Sequence, residues 1–163
     1  MNVAQLLKEP VGSTRIADVH LDRLALDEST IAFDVSAKVR LTRVIEGILA
    51  DGQMSGKVEL ECVRCLELYT QEFAGEFEAD FRPSVDVRTG DPLQVPEFED
   101  IFVIDNNHEL DLDELLRQIS IISLPMQALC REDCPGIEQV EDEDEEAGDE
   151  RLAVLRDLLE AES

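Results

Sequence analysis

All four cysteines fall in two close pairs, Cys62-x-x-Cys65 and Cys130-x-x-x-Cys134, with 64 residues between them. A C-x-x-C places two thiolates within reach of one tetrahedral ion, and a second close pair can supply the remaining two positions of a closed site. The first reading is therefore a four-sulfur zinc site built from Cys62, Cys65, Cys130 and Cys134. It requires the intervening segment to fold back on itself. Cysteines without metal, reduced or disulfide-bonded, and a redox or sensing dithiol stay open. A thioredoxin-type C-x-x-C, however, opens a helix in a βαβ unit, whereas Gly56 to Cys62 alternates like a strand. His20 and His108 are the only histidines that could replace a cysteine as ligand.

Period-two alternation dominates the chain up to residue 82. Ile31, Phe33, Val35, Ala37, Val39 and Leu41 fall on one face of a predicted strand. Ile45 to Ala50 and Met54 to Cys62 flank Asp51-Gly52, which predicts a hairpin turning there and the C-x-x-C at its far end. In residues 69 to 82, Phe73, Gly75, Phe77, Ala79 and Phe81 oppose Glu72, Ala74, Glu76, Glu78 and Asp80. The acidic opposite face argues for phenylalanines packed in a core rather than stacked on bases.

Residues 83 to 100 read as a long loop, and Ile101 to Leu110 as a short hairpin around Asp105-Asn106-Asn107. Asp111 with Glu114 predicts a capped helix over 111 to 123, its stripe formed by Leu112, Leu115, Leu116, Ile119 and Ile122 and its end set by Pro125. The expected fold is α+β: a mainly antiparallel sheet of about five to seven strands, strongly twisted or barrel-like, with one packed helix and a C-terminal helix. Phe33, Val35, Val39, Leu41, Phe73, Phe77, Phe81, Leu115 and Ile119 are the predicted inward set.

Length and composition divide the chain into a single domain over 1–136, with an N-terminal arm over residues 1 to 15, and a tail over 137–163. The tail carries 12 acids and 2 bases, and its Glu138 to Glu146 run is too charged and too poor in apolar residues to fold alone. Leu152, Leu155, Leu158 and Leu159 then recur at helical spacing behind a candidate N-cap at Asp149. The N-terminus shows neither a signal peptide nor a membrane span, so a cytoplasmic protein is expected, in a compartment that keeps thiols reduced.

The net charge is −25, of which −15 lies in residues 1 to 136. Such a surface repels phosphate backbones and favours basic protein partners, although charge also serves solubility alone. No P-loop, nucleophile elbow, dinucleotide fingerprint or H-E-x-x-H is present, and no carboxylate pair stands out, so no enzymatic activity is expected.

The run Gly56 to Glu67, ending Leu60-Glu61-Cys62-Val63-Arg64-Cys65-Leu66-Glu67, resembles the signature of the YceD family, bacterial and plastid proteins linked to accumulation of large-subunit ribosomal RNA. Leu124-Pro125-Met126, Leu129-Cys130 and Asp133-Cys134-Pro135-Gly136 resemble its second block. Many members continue that block with a further C-P-x-C-G, whereas here Gly136 is followed by Ile137 and the acid run. The resemblance implies a non-catalytic ribosome-biogenesis role in synthesis, processing or stability of that RNA. With the charge, it suggests a basic ribosomal or assembly protein as partner. The alternatives are direct RNA binding through Lys38, Arg40 and Arg43, and a zinc- or redox-responsive regulator.

Overall fold

A computed structural model describes residues 1–95 and 101–137. Strands β1 (Thr14–Ala25), β2 (Ile31–Val44), β3 (Gly47–Glu61) and β4 (Leu68–Pro83) form an antiparallel meander in sequence order, and β5 (Ile101–Ile104) joins the edge of β4. That last pairing is parallel, with Asp80 opposite Ile101. A parallel neighbour needs a crossover, and the chain after Pro83 provides it. The sheet is thus mixed, mostly antiparallel and open. Of the strongly twisted or barrel-like sheet expected from the sequence, the barrel-like form is not found, since among the described residues β1 and β5 remain edges with no strand joining them. Helix α1 (Ala4–Lys8) lies in the N-terminal arm, and α2 (Leu112–Ser123) packs against β4 and β1.

One face of the sheet is the core. Val35, Val39 and Leu41 of β2, Ile48, Met54 and Val58 of β3 and Phe73, Phe77 and Phe81 of β4 are buried there, together with Leu6, Leu115 and Leu116 from the helices. Glycines alternate with rings across β3 and β4. The Phe77 ring lies over Gly52 and the Phe73 ring over Gly56, each filling the place where a Cβ would stand. At Asp111 the expected cap is present: its carboxylate accepts from the Asp113 and Glu114 N–H groups at 2.9 and 3.3 Å, and α2 ends at Ser123, with the extended Leu124 as its C-cap before Pro125.

Four local expectations are corrected. The β2–β3 turn is at Ile45-Glu46, and Asp51-Gly52 lies inside β3 opposite Arg40 and Val39. The Arg43 guanidinium fixes the true turn by donating to the carbonyls of Val44 and Gly47. Phe33 is only half-buried and Ile31 is exposed, because the register shifts between Phe33 and Ser36 and Asp34 takes φ 58°, so that Ala32 faces the core instead. β1 has no counterpart among the predicted strands. Finally, Glu109 returns beside the β5 turn, its carbonyl accepting from Asp105, but its ladder partner is Asn2 of the N-terminal arm. Ile119 is half-buried against the core. The predicted C-terminal helix and all of the tail beyond Ile137 lie outside the described residues.

Candidate metal centre

The end of β3 delivers Cys62 into a tight knuckle. The Cys62 N–H donates to the Glu67 carbonyl and the Leu66 N–H to the Cys62 carbonyl, both at 2.9 Å, with Leu66 at φ 61°. The chain leaving α2 is held against this knuckle at two points. The Val63 N–H donates to Ala128 O at 2.9 Å, and Arg64 Nη1 donates to Cys134 O at 3.0 Å and Glu132 O at 3.3 Å. Beyond Pro135 the chain passes close to Arg64 again at Gly136, where φ is 84° and a Cβ would lie 3.4 Å from the Arg64 carbonyl oxygen.

These contacts bring the two pairs together. The Sγ atoms of Cys62, Cys65, Cys130 and Cys134 all lie within 4.8 Å of one another. Cys62 faces Cys134 at 3.8 Å and Cys65 faces Cys130 at 3.7 Å. A regular tetrahedron with Zn–S bonds of about 2.3 Å has S···S edges of about 3.8 Å. The donor set and its spacing therefore fit a zinc ion, and all four cysteines are free rather than disulfide-bonded. Four thiolate donors complete a tetrahedron and leave no position for a substrate, as in closed structural sites.

Backbone N–H groups tune the sulfurs. Those of Cys130 and Cys65 converge on Cys62 and bring its thiol down to about 6 from 9.0, against the opposing effect of burial. Burial, and then the neighbouring thiols of Cys134 and Cys65, push Cys130 up to about 12. Thiols so close cannot all ionise without a cation among them. Tyr69, the chain's single tyrosine, adds to this environment. Its hydroxyl is buried without a hydrogen-bond partner among the described residues, and burial, followed by the charges of Cys62 and Cys130, raises its pKa.

The histidines stand apart from the cluster. His20 is exposed on β1 with Nδ1 3.1 Å from Ser36 Oγ, and His108 occupies the turn after β5 at φ 59°. The cationic trio does not form a free patch. Lys38 is exposed on β2 with no ion-pair partner among the described residues, whereas Arg40 is paired to Asp51 through Nε at 3.0 Å and Nη2 at 2.7 Å. Arg43 is half-buried and engaged with carbonyls, including that of Leu7 at 3.2 Å. Neither the Arg64 clamp nor Tyr69 was foreseen from sequence. The only signal was their place in and just after the C-x-x-C.

Fold and site together define a small α+β protein whose open sheet ends in a four-cysteine knuckle. The sequence profile described as "Large ribosomal RNA subunit accumulation protein YceD" matches residues 50–159, a span that contains both cysteine pairs, and the chain belongs to the YceD family. Membership implies a role in large-subunit ribosomal RNA accumulation. No curated protein and no solved structure matches the chain. Among the described residues no helix is long and apolar enough to cross a membrane.

Proposed function

We propose that the protein supports large-subunit ribosomal RNA accumulation as a non-catalytic binding factor, with a structural zinc in its cysteine knuckle and an acidic sheet face that receives a basic assembly protein. The face of the sheet opposite the core carries this reading. Along β4 it presents Glu72, Glu76, Glu78 and Asp80, and Asp51 stands directly across from Glu78. Asp51 is held by Arg40 and Asp80 by Arg82, so the acids that a cationic partner would meet are Glu72, Glu76 and Glu78, which have no ion-pair partner among the described residues. A groove of about 800 Å³ crosses the same face, lined by Asp18, His20, Ser36, Lys38, Ser55 and Glu76 among others. The three cations on this face that have partners are neutralised by them: Arg40 by Asp51, Lys57 by Asp34, and Arg82 by Glu46 and Asp80.

Direct RNA binding is the second reading. Of its three residues only Lys38 is without an engaged charge, which supports the protein partner over RNA. A zinc- or redox-responsive regulator needs accessible sulfurs, and Cys62 and Cys134 are buried.

The test is capture of large-subunit assembly proteins and of ribosomal RNA by the purified chain across a salt series. The expected outcome is salt-sensitive retention of a basic protein, weakened by Glu76→Lys with Glu78→Lys and by deletion of residues 138–163, without loss of the folded core. Tight binding of ribosomal RNA alone, lost on substituting Lys38, Arg40 and Arg43 and indifferent to the tail, would overturn the reading. Metal analysis of protein purified without chelator tests the zinc separately, with one ion per chain expected.

A further inference from the structure

One edge of the sheet is long, regular and unpaired. β1 runs for 12 residues without proline or glycine, and among the described residues only β2 pairs with it. Backbone N–H and C=O groups on its other side are left without a ladder, the arrangement that recruits a further strand. Beside the middle of this edge lies a cavity of about 550 Å³, bounded by Ala17 and Val19 on one side and by Val103 of β5 and the segment leading into α2 on the other. Asp105, Glu109, Asp111 and Asp113 line that far side. None of the four has an ion-pair partner among the described residues. The Met1 amine is the one cationic group lining the cavity, and it donates to the Leu110 carbonyl at 2.6 Å.

We infer that the β1 edge receives an extended basic segment of the partner protein, added as a further strand whose cations enter this cavity. The inference rests on the basic-partner reading above and gives that partner a second point of attachment. Ala17 and Val19 stand opposite Val39 and Ala37 on the core side of the sheet, where the cavity lies beside the buried Leu110 and Leu112. Residues of an added strand that lie directly opposite Ala17 and Val19 would share this face. A lysine or arginine there would lay its aliphatic stem on Val19 and the exposed Val103 and carry its charged end to the carboxylates. Arg15, two residues before Ala17 on the same face, does not compete for them, being paired to Glu9 at 3.4 Å. A second copy of the chain fits the edge badly. In two-fold antiparallel pairing, the register centred on Asp18 sets Asp18 against Asp18, that on Val19 sets Arg15 against Arg23, and that on His20 sets Asp18 against Asp22. Like charges directly opposite destabilise a sheet. The net charge of −25 likewise opposes a second copy and attracts a cationic segment.

The test uses the full chain and an eight-residue peptide of alternating lysine and threonine, beside an N-methylated version that keeps the charge but cannot donate to a ladder. The expected result is binding of the unmethylated peptide alone, with amide exchange in residues 15–21 slowed by about tenfold or more. Glu109→Lys with Asp113→Lys is expected to weaken that binding by about tenfold or more. Circular dichroism checks the fold of this variant, and Glu109→Gln with Asp113→Asn replaces it if the reversed charges unfold the chain. Equal binding of the two peptides, or binding without slowed exchange in residues 15–21, overturns the inference while the basic-partner reading stands on the sheet face. Slowed exchange that appears without peptide as protein concentration rises also overturns it and assigns the edge to a second copy. If neither peptide binds although a basic protein is still retained across the salt series, the edge alone is refuted. If no basic protein is retained either, the reading beneath it falls as well.

Discussion

Gly52 lies directly against the main chain of Lys38: a Cβ built on it would stand 2.1 Å from the Lys38 carbonyl oxygen and 3.0 Å from the Phe77 ring. Main chain cannot rotate away as a side chain can. Gly52→Ala is therefore expected to destabilise the fold by at least about 2 kcal/mol, through overpacking that neither β2 nor β4 can relieve. Urea unfolding of the two proteins measures it, and a difference near zero would show that β2 and β3 are less closely apposed than described.

Arg43 and Lys38 separate a structural cation from an available one. Arg43→Ala removes a donor to the carbonyls of Leu7 and Gly47 and is expected to cost about 1–3 kcal/mol, whatever its effect on binding. Lys38→Ala should stay within about 0.5 kcal/mol of the parent, as surface changes do. Equal stability losses would contradict the roles assigned to the two residues.

Zinc and folding should be coupled. On the proposed zinc site, Cys134→Ser removes a buried thiol opposite Cys62, so it should abolish stoichiometric zinc binding and lower the melting temperature, and chelator should lower it in the parent but not in the variant. For the metal-free protein the sign follows from Cys62, whose folded-state pKa is depressed to about 6 from 9.0. Its contribution is complete above 9.0 and is lost as pH falls through about 6. Metal content by mass spectrometry together with melting curves across that range checks both statements.

On α2 a second acid effect is expected. Hydrogen bonds from Arg117, then Gln118, hold the Glu114 carboxyl down to about 2 from 4.5, and Arg117 in turn donates to Leu26 O at 3.1 Å. The stabilisation is present above 4.5 and disappears as pH falls through about 2. The pair is partly exposed, so Glu114→Gln should cost only about 0.5 kcal/mol at neutral pH. Melting temperatures of parent and variant should converge in strong acid. A gap that persists there would assign the effect to packing rather than charge.

The parts legible in sequence were those where a single local pattern decides the outcome. Phe73, Phe77 and Phe81 facing acids at period two, and Asp111 with Glu114 at the head of a leucine stripe, are such patterns. Asp51-Gly52 misled because a glycine serves a close backbone approach as readily as a turn, and only the neighbouring strands show which. Asp34 misled in a similar way, since one residue at positive φ moves Phe33 and Ile31 off the core face. The cysteine set could be read from spacing. That Cys62 faces Cys134 and Cys65 faces Cys130 could not, because it depends on the direction from which α2 returns the chain. The Arg64 clamp and Tyr69 depend on the same topology.

Strand order also governs the timing of assembly. β1 to β4 each pair with the next strand in sequence, so the meander can zip up hairpin by hairpin while the rest of the chain is still being made. The cysteine knuckle cannot close that way, since its halves lie 64 residues apart and the second follows α2. Until the ribosome has released residue 134, only three of the four cysteines can have emerged, and Cys62 and Cys65 wait without the full second pair. The knuckle is thus a terminal latch, and a chain interrupted before it closes is left with a formed sheet and two unshielded thiols at its end.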